Sequence, residues 1–319
     1  MKAAVYDRPG PPDIFRIVDL PDPVAGKGEI LIAVEAISIE GGDLINRRVA
    51  LPPHENYVVG YAAAGTVIAV GEGVTQRKPG DRVATFDLAG SHADRRVVPV
   101  GRTWLVPDGV HIAEAAILPI AFGTAHHCIH ARAGLKEGET TLIMAAAGGV
   151  GVAAIQLAKK AGGTVLAVAS GVGRQDRLKA LGADHVIDRR EQDVVSEVRR
   201  ITGGKGADVA IDPVGTTLAQ SLNALAPNGR LVFVGNAGGG DLSVDLWPAM
   251  QANQSLLGVF MGTRLENPDV RATIDEMLAA VADGNIKVLM EKEFPLSEVA
   301  RAHAFAETAK PLGRVVMRP

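Results

Sequence analysis

Short apolar runs alternate with turn clusters along roughly the first 120 residues, at 2–6, 14–18, 29–37, 62–70 and 82–86. Between them stand Pro9-Gly10-Pro11-Pro12, Pro21-Asp22-Pro23, Gly26-Lys27-Gly28, Gly71-Glu72-Gly73 and Pro79-Gly80-Asp81. Short strands with turn signals at this spacing predict an all-β barrel or sandwich. The segment 114–128 then leads into a different texture. Strand-like runs at 164–170, 185–187, 208–213 and 230–236 alternate with helical patterns at 174–181, 194–201 and 216–226. Such alternation predicts a doubly wound parallel sheet with its ligand crevice at the carboxyl ends of the strands.

After Gly258 the pattern changes again, with helical periodicity at 269–282 and 297–306 and strand-like runs at 288–294 and 314–317. Ser297 with Glu298 resembles a helix N-cap region. This tail is expected to pack on the first domain. The expected organisation is one domain of residues 1–120 with 262–319, interrupted by a second of 121–261.

The run from Thr141 to Ala158 carries the most chemistry. It reads as a buried strand, a glycine-rich turn and the first turns of a helix. That order aims free backbone N–H groups and the positive end of a helix dipole at an anion. The fingerprint G-x-G-x-x-G appears as Ala146-x-Gly148-x-x-Gly151. The bend between Met144 and Val152 is therefore expected to seat a dinucleotide diphosphate, with Ala147, Gly148, Gly149 and Val150 around it.

Composition narrows the classes. The chain has 319 residues, 47% apolar and 22% charged, an ordinary globular balance. A net charge of -3 and 4% aromatics give neither a basic footprint nor stacking platforms for nucleic acid. No uninterrupted apolar stretch reaches membrane-spanning length, so no membrane partner is expected. Met1-Lys2-Ala3-Ala4-Val5-Tyr6-Asp7 is too short and polar for a signal peptide. The single cysteine, Cys128, excludes an intrachain disulfide, and a reducing cytoplasm is the expected location.

Several segments resemble the medium-chain dehydrogenases/reductases. They are Gly26-Lys27-Gly28-Glu29-Ile30-Leu31-Ile32, Val67 to Val74, Pro79-Gly80-Asp81-Arg82-Val83, Leu181 to Asp188 and Gly229-Arg230-Leu231-Val232. The turn Ala145–Gly151 is similar to the "AAAGGVG" of the zinc-free NADPH:quinone oxidoreductase, or ζ-crystallin-like, branch. The resemblance covers nearly the whole chain. It implies an α/β protein with a GroES-like β-barrel catalytic domain and a Rossmann domain, with the active site in the cleft between them.

Zinc alcohol dehydrogenases of that superfamily use a Gly-His-Glu segment and cysteines. Here the segment reads Gly60-Tyr61-Ala62 and the cysteines are missing, so no metal is expected. His126 and His130, four apart, share a helix face with His127 and Cys128 nearby. They read as partly exposed helix residues at the domain junction, with a surface metal site as the alternative.

No acid follows the second strand of the glycine-turn unit, where NAD-preferring folds place one. That strand ends Ala169-Ser170-Gly171-Val172-Gly173-Arg174. Ser170 can donate to a 2′-phosphate and Arg174 can pair with it, so NADPH is the expected cofactor. The family resemblance adds Arg189 beside the adenine ribose and Thr124 near the nicotinamide. It also adds Val234-Gly235-Asn236 and Val259 as strand-end contacts, and Arg314 as a further contact.

Without a metal, a conjugated acceptor is the easier hydride target, because developing charge spreads over the quinone or enone. The expected reaction is NADPH-dependent reduction of a small molecule of that class. An enoyl-thioester reductase and a low-turnover binding protein are the alternatives. The family's "NPxDxYxR" segment reads Glu40-Gly41-Gly42-Asp43-Leu44-Ile45-Asn46-Arg47, a departure at Glu40 and Ile45. Glu40 reads as a pocket carboxylate or a solvated one. Tyr61, Glu40 and Asp43 are the proton-transfer candidates, with Tyr57 a weaker one. By analogy with relatives, a homodimer is expected through the sheet edge near 241–246 and 255–262.

Overall fold

The computed structural model describes residues 1–171 and 173–319. Val172, which follows Gly171 in the sequence, lies outside the described residues. The chain forms two units, Met1–Gly123 with Met261–Pro319 and Thr124–Phe260.

The first unit opens with β1 (Lys2–Tyr6), β2 (Arg16–Asp19), β3 (Glu29–Ser38), α1 (Gly41–Val49) and β4 (Tyr57–Val58). It continues with β5 (Ala62–Val70), β6 (Arg82–Phe86), β7 (Arg95–Pro99) and β8 (Thr103–Leu105). Helix α2 (Ile112–His126) follows and runs on into a π-helical turn, His127–Arg132. By length and composition Ile112–Arg132 could cross a membrane, but 78% of its most apolar window is buried within the protein.

The second unit contains β9 (Thr140–Ile143), α3 (Gly149–Lys160), β10 (Thr164–Ala169), α4 (Arg174–Lys179), β11 (His185–Asp188) and α5 (Val194–Ile201). After these come β12 (Ala207–Asp212), α6 (Leu218–Ala224), β13 (Leu225–Phe233), α7 (Trp247–Gln251) and β14 (Ser255–Gly258). The chain then returns to the first unit with α8 (Pro268–Ala282), β15 (Met290–Pro295), α9 (Val299–Thr308) and β16 (Arg314–Arg318).

The second unit is an all-parallel six-stranded sheet in the order β11-β10-β9-β12-β13-β14. Its central strands β9, β10 and β12 are largely buried, as strands covered on both faces must be. Leu142, Leu166, Val168, Leu222 and Leu231 fill one core layer. The strand order reverses direction between β9 and β12, the switch point where such sheets open a crevice.

The first unit holds a seven-stranded sheet, β15-β16-β3-β5-β6-β8 with β7 on β3, and a small antiparallel sheet, β2-β1-β4. Ile30, Ile32, Ile37, Val83, Val98, Val299 and Met317 form its core. Fully burying each such side chain contributes about 1.5–3 kcal/mol.

Three elements differ from the sequence reading. The run 14–18 becomes β2 only from Arg16, because Pro12–Ile14 takes a 3-10 turn. The last helix starts at Val299, not Ser297, since Leu296–Glu298 coils as 3-10 first and Glu298 caps without a side-chain bond. Strand β13 begins at Leu225, five residues before Arg230. The chain bulges between the Ala207–Leu225 and Val209–Arg230 pairs, where Asn228 takes φ +60.

Candidate functional site

Strand β9 delivers the chain to a bend whose geometry follows from small residues. Ala145 sits at φ +48, a left-handed conformation that costs an alanine about 1–2 kcal/mol. Its carbonyl accepts from Gly148 N at 2.9 Å, and Ala146 N donates to Val168 O on β10 at 2.9 Å. Gly148 then caps α3 with no side-chain bond. The first-turn N–H groups, at Gly149 and Val150 onward, therefore have no side-chain cap. A Cβ at Gly151 would lie 2.6 Å from the Ala146 Cα, so this glycine lets helix and bend close together. Gly148 has φ -74, which any residue can adopt, and a Cβ there would meet nothing nearer than 3.4 Å. The result is a helix N-terminus fit for a diphosphate.

At the end of β10 two arginines meet on one serine. Arg189 Nε donates to the Ser170 hydroxyl at 2.9 Å, and Arg174 Nη1 donates to the Ser170 carbonyl at 2.5 Å. Ser170 is buried, Arg174 half-buried and Arg189 exposed. Two guanidiniums on one serine, Arg189 at its hydroxyl and Arg174 at its carbonyl, suit a phosphomonoester, which accepts bidentate charged bonds. The nearest strand-end acid is Asp188 on β11. It accepts from Arg190 N at 3.0 Å and Gly171 N at 3.3 Å, and those backbone bonds hold its carboxyl below the usual range. An open cavity of about 650 Å³ lies here, lined by Gly171, Gly173, Gln175, Asp188 and Arg190.

At the far strand ends the backbone donors are already engaged. Val234 N donates to Asp212 O and Val259 N to Phe233 O, each at 2.9 Å. Neither N–H is left for a ligand. Asn236, next to Gly235, donates from Nδ2 to Gly240 O at 2.9 Å, while its buried Oδ1 has no partner. That orphaned acceptor suits an amide N–H donor. Asp212, which the sequence reading passed over, is fully buried and accepts from Val214 N, Gly215 N, Thr217 Oγ1 and Ser221 Oγ at 2.7–3.1 Å. It fixes the turn between β12 and α6, which is why that helix starts at Leu218 and not at residue 216. Thr124 lies buried on α2.

The first unit carries a buried polar cluster around α1. Glu40 and Asp43 are both almost wholly buried, so the solvated reading of Glu40 is wrong. The two share a capping box, with Glu40 N donating to Asp43 Oδ2 at 2.8 Å. Glu40 accepts from Ser38 Oγ at 2.6 Å and pairs with Arg314. Burial raises Glu40, against the opposing pull of Arg314 and Ser38. Arg314 is thus an internal counter-ion, its guanidinium taken up by Glu40. Asp43 Oδ1 accepts from Tyr61 N at 3.1 Å, and burial pushes its carboxyl up to about 8. Asp43 is therefore an anchor for backbone N–H groups.

Tyr61 is half-buried and stacks on Phe86, with centroids 6.2 Å apart. Burial raises its pKa, so the phenol stays protonated at neutral pH. Asn46 Nδ2 reaches the Tyr61 hydroxyl at 2.9 Å. Tyr57, the weaker candidate, is expected on a loop from the sequence. It lies instead on β4, edge-on to Tyr6, and burial raises it too.

Two histidine groups have different characters. The His126 and His130 rings lie 4.4 Å apart, and burial, then the like charges of His130 and His127, push His126 down to about 4. A second pair was not foreseen: His92 Nε2 and His303 Nε2 are 2.9 Å apart, with both rings fully buried. Nothing in the spacing of residues 92 and 303 announces that contact.

The chain matches the family model described as Alcohol dehydrogenase GroES-like domain over residues 26–160. It matches the one described as Zinc-binding dehydrogenase over 149–282. It is 32% identical over 341 residues to 2-haloacrylate reductase of Burkholderia sp, covering 99% of this chain and 98% of that protein. Synaptic vesicle membrane protein VAT-1 homolog of Rattus norvegicus is 30% identical over 318 residues, covering 93% of this chain and 78% of that one. Among solved structures, Escherichia coli quinone oxidoreductase complexed with NADPH superposes with a TM-score of 0.93 at 28% identity, covering 100% of both chains.

The zinc in one family description does not fit the residues present. A catalytic zinc takes about three N, S or O protein ligands. Among the described residues no group of three His, Cys, Asp or Glu side chains is placed to hold a metal ion. Cys128 is buried on the π-helical turn. Tyr61 stands where the zinc enzymes carry histidine, and it is held by Asn46. With a GroES-like unit, a Rossmann sheet and relatives matched over most of their length, the chain belongs to the medium-chain dehydrogenase/reductase superfamily, in its quinone oxidoreductase branch.

Proposed function

We propose that this chain is an NADPH-dependent reductase of conjugated acceptors, a quinone or an α,β-unsaturated carbonyl. The observation that carries the reading is the meeting of Arg174 and Arg189 on Ser170, where the neighbouring Asp188 carboxylate is engaged by backbone N–H groups. A 2′-phosphate would find two cations and a hydroxyl there, while NADH offers them only a neutral 2′-hydroxyl. The uncapped N-terminus of α3 supports diphosphate binding, and the orphaned Asn236 Oδ1 supports a contact with the carboxamide. Two relatives point the same way by name, one a quinone oxidoreductase complexed with NADPH and one a reductase of a conjugated acid.

When bound, NADPH supplies the hydride, which adds to the electron-poor carbon of the acceptor. The protein's task is then to neutralise the oxygen that gains charge. Tyr61 is the proton donor in this reading, because its phenol remains protonated at neutral pH and its ring is fixed. Glu40 and Asp43 hold α1 and the Tyr61 backbone in place. The chain also forms a homodimer in this reading, through the outer edge of β14. That strand carries exposed Leu256, with Phe260, Leu246 and Trp247 exposed close by in sequence.

The test is NADPH and NADH oxidation with 1,4-benzoquinone, 9,10-phenanthrenequinone, a 2-alkenal and crotonyl-CoA. Turnover of a quinone or the alkenal with NADPH is expected. Turnover of the thioester alone would make the chain an enoyl-thioester reductase, and tight NADPH binding without turnover would make it a binding protein. Arg189→Ala should weaken NADPH about 10–100-fold, the loss of a charged hydrogen bond, and leave NADH nearly unchanged.

A further inference from the structure

We infer that Asn46 is a positioning residue that aims the Tyr61 proton outward, making α1 a clamp on the proposed donor. The inference deepens the reading of Tyr61 given above and rests on it. Three positions of α1 hold this one residue. Asp43 Oδ1 accepts from Tyr61 N at 3.1 Å and fixes the backbone. Gly42 clears space for the ring, since a Cβ there would lie 2.3 Å from Tyr61 Cε2. Asn46, one turn beyond Gly42 and on the same helix face, reaches the hydroxyl from Nδ2 at 2.9 Å. Phe86 closes the other side, its ring inclined 27° to that of Tyr61.

The consequence lies in the hydrogen-bond capacities. A phenol has one proton to give, and an amide Nδ2 can only donate. With Asn46 donating to the hydroxyl oxygen, the Tyr61 O–H cannot point back at Nδ2. It turns to the free side of the oxygen and is available for transfer. The same N–H bond favours the phenolate left behind, opposing the burial that raises the group. The titratable and charged groups facing Tyr61 are Asp43, on α1, and Tyr57, on β4, which oppose its ionisation, and Arg96, on β7, whose Nη2 donates to the Tyr61 carbonyl at 2.9 Å. After transfer the substrate oxygen has gained the proton and Tyr61 is a phenolate, which water reprotonates.

The test uses full-length protein carrying 13Cζ-tyrosine. Three tyrosines give three resonances, and Tyr61→Phe assigns the relevant one. Asn46→Leu should raise the Tyr61 titration midpoint by about 0.5–1 pH unit, the worth of one hydrogen bond to the phenolate. It should lower kcat about tenfold and change KM less than twofold, as expected for a misdirected general acid. Asn46→Asp, close to isosteric, serves if the leucine variant does not fold. Its carboxylate accepts the phenol proton, so it should raise the midpoint at least as far. A midpoint that stays put in these variants, or moves down because the Asn46 carbonyl faced the hydroxyl, overturns the clamp. The parent reading fails separately, through absence of turnover with every acceptor or an undiminished kcat in Tyr61→Phe.

Discussion

Arg314, the first residue of β16, pairs with Glu40, the cap of α1, and Glu40 is 1% exposed. Removing one partner of a buried pair strands the other's charge. Glu40→Gln should therefore cost about 3–5 kcal/mol, seen as a Tm lower by roughly 6–20 °C for a chain of this size. Combining Glu40→Leu with Arg314→Met should recover most of that loss, because apolar groups of similar volume need no partner. A Glu40→Gln protein that melts with the wild type would show the pair to be well hydrated.

The His92–His303 contact predicts acid sensitivity. Burial pushes His92 down to about 3, and it holds His303 well below its usual value, with Arg96 and Arg47 adding repulsion. The unfolded chain takes up protons on these rings near pH 6.5, and the folded chain does not. Their contribution to stability is thus intact above about pH 6.5 and falls as the pH drops, by up to about 1.4 kcal/mol per pH unit per ring. Urea denaturation at pH 7, 6 and 5 should show the decline. The slope should flatten in His303→Leu, whatever that variant's stability at pH 7. An identical slope would mean that the rings titrate normally in the folded state.

Gly151 and Gly148 should separate by function. At Gly151 a methyl meets backbone at 2.6 Å, so Gly151→Ala is expected to destabilise by about 1–3 kcal/mol through overpacking. At Gly148 the backbone and the interior tolerate a methyl. Gly148→Ala should melt like the wild type yet bind NADPH at least tenfold more weakly, about 1.4 kcal/mol. Calorimetric titration beside thermal melts distinguishes the two. Equal NADPH affinity in Gly148→Ala would remove the diphosphate from this bend.

The outer edge of β14 gives a prediction about assembly. Leu256 on the edge strand β14 is 47% exposed, and Phe260, two residues past its end, is 61% exposed. The wild type should sediment as a dimer, and Leu256→Asp with Phe260→Asp should sediment as a single chain with unchanged circular dichroism. A wild type that sediments as a single chain would remove the interface.

The parallel sheet was legible because its strands must be apolar on both faces. The runs of β9, β10 and β12 have no solvated side to break the pattern. The glycine bend was legible because close approach permits few residue types. The α1 cluster was legible only in part. Glu40, Asp43 and Tyr61 stand out as chemistry-bearing residues, but the Asn46–Tyr61 bond joins positions fifteen apart through tertiary packing. His92 and His303 are 211 positions apart, and neither periodicity nor spacing records their pairing. Strand β13 was misjudged at its start because Ala226-Pro227-Asn228-Gly229 looks like a turn between elements, whereas it is a bulge within one.

Strand β16 sits between β15 and β3 in the sheet of the first unit. Residues near position 315 thus hydrogen-bond to a strand ending at Ser38. On the ribosome the end of β3 at Ile37 and Ser38 lacks this partner until residues 316 and 317 have emerged. The intervening nucleotide-binding unit has all its own strands earlier and can fold first. The late docking of β15 and β16 is then the step at which a nascent chain exposes an unpaired β3 edge, and where a chaperone would act.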